Sequence, residues 1–302
     1  MDRFTAFFPR LLPPVETFIA GRRACKGCGK ALAARITAKA AQDKIMPGNN
    51  AMAAHCVGAP TYSPLSSEKD FHYFHDEILA AAQRTAKQSA ACNTLMTKPV
   101  ITINRTVFEK DHLAFCSTFS SAYKALYVCL DNESYLADFI ERVAPPQFII
   151  NESAHSVSDK DTADIVRKKN YFLESIEEFF SYIATACPGY PFDLIEKVRR
   201  GLACKGNAFI LVLTPCPTGW IFPPRLTQKV GRAAVHTGYF PLWEKEHGRF
   251  RLTYIPEKLK PLPHYIALQK RFLPLTDKVI TCLQTAVQQQ YNDLLQHSAQ
   301  TH

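Results

Sequence analysis

Apolar positions along the chain fall into short continuous runs and longer stripes at helical spacing, and the two patterns alternate. Leu126-Tyr127-Val128-Cys129-Leu130 and Phe209-Ile210-Leu211-Val212-Leu213 carry no charged position, as expected of strands covered on both faces of a parallel sheet. Pro99 to Ile103 and Tyr182 to Ala186 are further β-rich runs. Ala51 to Val57 reads as a short strand that delivers Cys56 to its end. Helices are predicted over Ala31 to Gln42, Ile78 to Ala91, Phe108 to Ala122, Phe192 to Leu202 and Thr227 to His236. A terminal helix carries Val279, Ile280, Leu283, Val287, Tyr291 and Leu294 on one stripe, expected to be core or docking surface. Strand, helix and strand in succession make a βαβ unit, so the fold expected is α/β, a parallel sheet flanked by helices.

In such sheets ligands bind beyond the carboxyl ends of the strands. Two stretches fall there: Asp131-Asn132-Glu133 after the run at 126–130, and Thr214-Pro215-Cys216-Pro217-Thr218-Gly219-Trp220 after the run at 209–213. The polar stretch from Asp138 to Lys169 reads as a surface excursion or lid. At 302 residues the chain is expected to be one α/β domain over 1–302, with a C-terminal extension from about 221 to 302 that packs on partner subunits.

Charge changes this picture little. The formal net charge of +9 admits an acidic partner protein or an anionic cofactor. The basic residues are scattered apart from Arg167 to Lys169 and Lys197 to Arg200, with no interleaved aromatics of a base-stacking surface, so nucleic acid is not an expected partner. Those two clusters read as solvated faces. No apolar run is long enough to span a bilayer, and the N-terminal Phe4 to Leu12 stretch, broken by Pro9 and Arg10, reads as mature chain rather than an export signal.

Cysteines supply the candidate chemistry. The ten are mostly set singly among apolar residues, which points to a reducing, cytoplasmic compartment. Cys116, Cys129, Cys187 and Cys282 read as small buried hydrophobes, and Cys92 and Cys204 are ambiguous. His72 and His75 beside Asp76 and Glu77 read as a polar helix start. Cys25-Lys26-Gly27-Cys28-Gly29 is different, because two thiols separated by two residues, with glycines between and after, hold one metal centre against closely approaching backbone. Such a pair serves zinc, an iron–sulfur cluster or dithiol chemistry, depending on where further ligands lie. Cys56 and Cys216 are the candidates.

Phe18 to Gly29, Asp131-Asn132-Glu133-Ser134-Tyr135, Thr214 to Trp220 and Ala233 to Glu244, in this order, resemble the motifs of the β subunit of the 2-oxoacid:ferredoxin oxidoreductases of the pyruvate type. The resemblance implies a thiamine diphosphate-binding fold and a [4Fe–4S] cluster on Cys25, Cys28, Cys56 and Cys216. It implies Mg²⁺ and thiamine diphosphate bound through Asn132 and the Ser134 carbonyl, and the glycine turn at Gly27 and Gly29, opening into a helix N-terminus that favours anions, is a further cofactor-binding candidate. It also implies α and ferredoxin-like partner subunits, a 2-oxoacid and coenzyme A as substrates, and ferredoxin or flavodoxin as acceptor. Where the family has an acidic glycine turn for Mg²⁺, this chain has Ile103-Asn104-Arg105-Thr106, so Asn104 takes that place without the charge. Leu136-Ala137-Asp138 replaces a second family motif. These departures leave an alternative reading from another class, an electron-relay or assembly subunit that keeps the cluster and has lost thiamine diphosphate. A zinc-stabilised scaffold is a third.

Overall fold

The four parallel strands form where the apolar runs stand. In chain order the elements begin with helix α1 (Gly29–Ala41), strands β1 (Val100–Asn104), β2 (Leu126–Asp131) and β3 (Tyr182–Ala186), helix α2 (Pro191–Ala203) and strand β4 (Ala208–Leu213). Then come α3 (Thr227–His236), β5 (Trp243–Glu246), β6 (Arg249–Leu252), the short α4 (Pro263–Ile266) and the long α5 (Asp277–Gln300). The computed structural model describes residues 25–41, 100–104, 124–133, 136, 140, 173–174, 176–273 and 275–300. The expectations over Ala51 to Val57, Ile78 to Ala91 and Phe108 to Ala122 lie outside them, as do Asp138 to Lys169 apart from Ile140, and Cys56, Cys92, Cys116 and Ser134.

The sheet runs β1-β2-β4-β3-β5-β6. The first four strands are parallel, with Asn104 opposite Leu130 and Asp131 opposite Leu213, so their carboxyl ends share one edge. The expected α/β fold with a parallel sheet is present, and two antiparallel strands extend it: β5 pairs antiparallel with β3, and β6 with β5. The hairpin turn, His247 at φ 49° and Gly248 at φ 78°, has the two positive φ angles that match strand twist in a tight hairpin. Phe250 and Leu252 are buried while Arg249 and Arg251 are exposed, as period-2 alternation requires.

Strand β4 shows why the central runs are apolar throughout. Ala208, Ile210 and Val212 pack toward α1 and α2 with Ala33, Ile36, Leu194 and Val198. Phe209, Leu211 and Leu213 pack on the other face with Val230, Ala234, Tyr265, Val279, Leu283 and Val287. Each such Leu, Ile or Val contributes about 1.5–3 kcal/mol by leaving water. In the C-terminal part, β5 and β6 widen this chain's own sheet, and Val279, Leu283, Val287 and Tyr291 of α5 are buried.

Two expectations are corrected here. Lys197, read as part of a solvated basic cluster, is only 1% exposed. It lies one helical turn from Asp193 on the sheet-facing side of α2, and Nζ donates to Asp193 Oδ2 (2.8 Å), Thr185 O (2.7 Å) and Thr253 Oγ1 (2.7 Å). A buried ammonium is tolerated when all three of its donors are used. Cys282, read as buried, is half-buried because it falls between the apolar stripe and the solvent face of α5, whereas Cys129 and Cys187 are fully buried as expected. Among the described residues no helix is long and apolar enough to cross a membrane.

Candidate metal centre and cofactor edge

The Cys-x-x-Cys element forms a tight turn that ends in α1. Cys28 N–H donates to Cys25 O at 3.1 Å, and Gly27 adopts φ 69°, a left-handed conformation natural to glycine. Close packing explains both glycines. A Cβ on Gly27 would lie 2.5 Å from Pro224 O, and one on Gly29 2.5 Å from Pro215 O. Gly29 N–H donates to Pro215 O at 3.1 Å, and Thr227 Oγ1 donates to Gly27 O at 2.6 Å. The turn is thereby wedged between the end of β4 and the start of α3.

Cys216 sits on the opposing wall. Prolines break β4 after Leu213, and the chain turns so that Trp220 N–H donates to Cys216 O at 2.8 Å. Gly219 N–H donates to Cys216 Sγ at 3.3 Å. Cys25 is exposed, and Cys28 and Cys216 are half-buried. Lys30, in the first turn of α1, stands near Cys28 and Cys216: burial pushes its ammonium below the usual lysine range, opposed by Cys28, Cys216 and Asp131.

Asp131 ties this wall to the other candidate loop. Its carbonyl accepts from Thr214 N–H (2.6 Å) and Thr214 Oγ1 (2.8 Å), and its Oδ1 accepts from Glu133 N–H at 2.7 Å. That side-chain bond closes a turn in which Glu133 takes φ 52°, a strained conformation costing about 1–3 kcal/mol. The Asn132 carbonyl accepts from Trp220 Nε1 at 2.8 Å, and no hydrogen bond among the described residues occupies its side-chain amide. Glu133 is fully buried against Arg271, whose Nη2 donates to Oε2 at 2.7 Å. Burial opposes the Arg271 charge, but Tyr265, Glu133 and Tyr239 outweigh it and raise its pKa. Burial, then Glu133, keeps the Tyr265 phenol protonated.

The structure thus brings Cys25, Gly27, Cys28, Gly29, Asn132 and Cys216 to one edge, with the Asn104 backbone at the end of β1 on the same side. Cys56 and Ser134 are not among the described residues. Among the described residues no group of three His, Cys, Asp or Glu side chains closes around a metal position; the three thiols lie on abutting loops. Their chemistry fits an iron–sulfur cluster: soft thiol donors, a backbone N–H on one sulfur, and glycines that let backbone close in. Sequence reasoning missed Lys30, the Gly219 N–H, the Trp220 to Asn132 bond and Arg271. The tryptophan was legible within its motif; the Arg271 to Glu133 pair, 138 residues apart, has no local signal.

No family model matches the chain. Over 283 residues it is 34% identical to the pyruvate synthase subunit PorB of Methanocaldococcus jannaschii, covering 90% of this chain and 94% of that one. It is 32% identical to the same-named subunit of Methanothermobacter thermautotrophicus, covering 88% and 93%. It is 28% identical to the ketoisovalerate oxidoreductase subunit VorB of Pyrococcus abyssi, covering 94% of each. A 2-oxoglutarate:ferredoxin oxidoreductase from Magnetococcus marinus matches at 16% identity and a TM-score of 0.34, over 70% of this chain and 69% of that one, too low to carry an inference. The chain is an oxidoreductase subunit of the 2-oxoacid:ferredoxin class. Within that class it belongs to the family of β subunits typified by PorB and VorB.

Proposed function

We propose that the chain is the β subunit of a pyruvate-synthase-type complex that oxidatively decarboxylates a 2-oxoacid in the presence of coenzyme A. It holds a [4Fe–4S] cluster on Cys25, Cys28, Cys56 and Cys216. It also holds thiamine diphosphate and Mg²⁺ at the carboxyl edge through Asn104, Asn132 and the Ser134 carbonyl. When bound, thiamine diphosphate supplies the electron sink for decarboxylation and the cluster a one-electron exit. The α and ferredoxin-like subunits complete the complex, and ferredoxin or flavodoxin takes the electrons. The exposed Ile221, Ile255 and Leu273 of the C-terminal part meet the other subunits.

One observation carries this reading: the Cys-x-x-Cys turn, the Cys216 loop and the Asp131 to Glu133 loop are hydrogen-bonded to one another at a single sheet edge. Each residue there has a definable task. Gly27 and Gly29 permit the backbone contact that sets Cys28 against the Cys216 wall. Gly219 N–H stabilises negative charge on Cys216 Sγ. Trp220 fixes the Asn132 carbonyl and so the direction of that residue. In the anaerobically purified complex, Cys25, Cys28, Cys56 and Cys216 changed singly to Ala should each lower bound iron. Unchanged iron in any one removes that residue from the ligand set.

A further inference from the structure

The described backbone holds three non-glycine residues at positive φ, Glu133 (52°), Ile221 (55°) and His247 (49°). His247 belongs to the β5–β6 hairpin turn. The other two flank one joint: Glu133 follows Asn132, Ile221 follows Trp220, and Trp220 Nε1 donates to the Asn132 carbonyl. Left-handed conformations are costly for β-branched and charged side chains, and they persist only where the surroundings over-determine them.

One short segment supplies those surroundings for both. Lys270 N–H donates to Ile221 O at 3.1 Å and Arg271 N–H to Trp220 O at 3.3 Å. The Arg271 guanidinium lies 3.7 Å over the Trp220 ring, while its Nη2 donates to Glu133 Oε2 at 2.7 Å and its Nε to Gln269 Oε1 at 2.8 Å. A planar guanidinium stacks on an indole and donates to a carboxylate at the same time, which a lysine ammonium does only in part and an apolar side chain not at all. We propose that Arg271 is a positioning residue: it locks the 131–133 loop and the 214–221 loop in one fixed relation, and with them Asn132 and Cys216, a role that rests on assigning Asn132 to Mg²⁺ and Cys216 to the cluster. Thiamine diphosphate affinity then depends on a buried residue that acts through Glu133 and Trp220.

The test uses the anaerobically purified complex with Arg271→Met, Arg271→Lys or Trp220→Phe in this chain. Amide hydrogen exchange is followed in peptides spanning 131–133 and 214–221, and thiamine diphosphate affinity is measured at saturating Mg²⁺. Arg271→Met should speed exchange at least tenfold in both peptides while β3 and α5 keep wild-type rates. It should weaken thiamine diphosphate at least tenfold and lower iron per chain, because Cys216 moves with its loop, and Arg271→Lys should restore part of each. Trp220→Phe, which keeps an aromatic ring and loses Nε1–H, should speed the 131–133 peptide. Unchanged exchange in Arg271→Met, acceleration spread evenly over the chain, or a lysine variant no better than methionine overturns the positioning role. A wild-type complex that binds no thiamine diphosphate contradicts the functional assignment instead, and exchange still decides whether Arg271 holds the two loops together.

Discussion

Replacing Gly29 with alanine is the smallest change that drives the Cys-x-x-Cys turn away from the Cys216 wall. The added Cβ would stand 2.5 Å from Pro215 O, 2.7 Å from Pro215 N and 2.8 Å from Thr214 C. All three are backbone atoms, so no rotamer relieves the clash. The loops must part by at least half an ångström before the Cβ reaches the 3.0 Å below which such contacts are essentially never seen. That movement also strains the Gly29 N–H to Pro215 O bond. Overpacking costs about 1–3 kcal/mol and the weakened hydrogen bond about 1 kcal/mol, offset by about 1 kcal/mol from replacing a helical glycine with alanine. The net loss is therefore about 1–3 kcal/mol, enough to lower Tm by several degrees without unfolding the chain. Bound iron should fall well below the wild-type value, measured per chain in the anaerobic complex alongside thermal unfolding. Gly201→Ala is the control, since its Cβ meets Leu126 Cδ1 at 2.8 Å in the core, away from the site. It should lower Tm and keep iron. Full iron in Gly29→Ala, or equal iron loss in Gly201→Ala at matched destabilisation, would refute the reasoning.

Other consequences follow from the buried ionisable groups. Lys197→Met leaves the Asp193 carboxylate buried without its cation and should cost about 3–5 kcal/mol in denaturant unfolding. The double variant Lys197→Met, Asp193→Leu should recover most of that, and a single variant as stable as wild type would contradict the pairing. His236 titrates below the usual imidazole value, first because it is partly buried and then because Lys260 and Arg232 stand near. The unfolded state therefore binds its proton first, so this contribution is complete above the ordinary value near 6.5 and is lost as pH falls through the lower folded value. Tm should drop on acidification below about pH 6.5, and His236→Gln should flatten that slope. Burial pushes the Cys187 thiol up to about 12, so it should resist iodoacetamide until the chain unfolds, whereas Cys25 should react readily once iron is stripped.

The parts of the fold that were legible in the sequence are those with a local cause. Strands β2 and β4 announce themselves because both faces are covered, so Leu126 to Leu130 and Ala208 to Leu213 are free of charged positions. The Cys-x-x-Cys turn and the Pro215-Cys216-Pro217 break were equally plain, since prolines and glycines encode backbone geometry directly. The hairpin was hidden because His247-Gly248 is a weaker turn signal than Asn-Gly, although Arg249 to Leu252 alternates cleanly. Lys197 was misread even though Asp193 stood four residues away, because a charge pair looks the same in sequence whether it faces water or a sheet. The strap from Gln269 to Phe272 had no signal, because its partners lie beyond any window in which periodicity acts.

The most direct measurement is the amount of thiamine diphosphate bound per [4Fe–4S] cluster in the anaerobically purified complex, with and without added Mg²⁺. One cofactor per cluster, dependent on Mg²⁺, is the expected result, and it means that Asn104 and Asn132 serve the metal without an acidic turn. Iron without thiamine diphosphate, at any Mg²⁺ concentration, would contradict the assignment of 2-oxoacid chemistry to this edge.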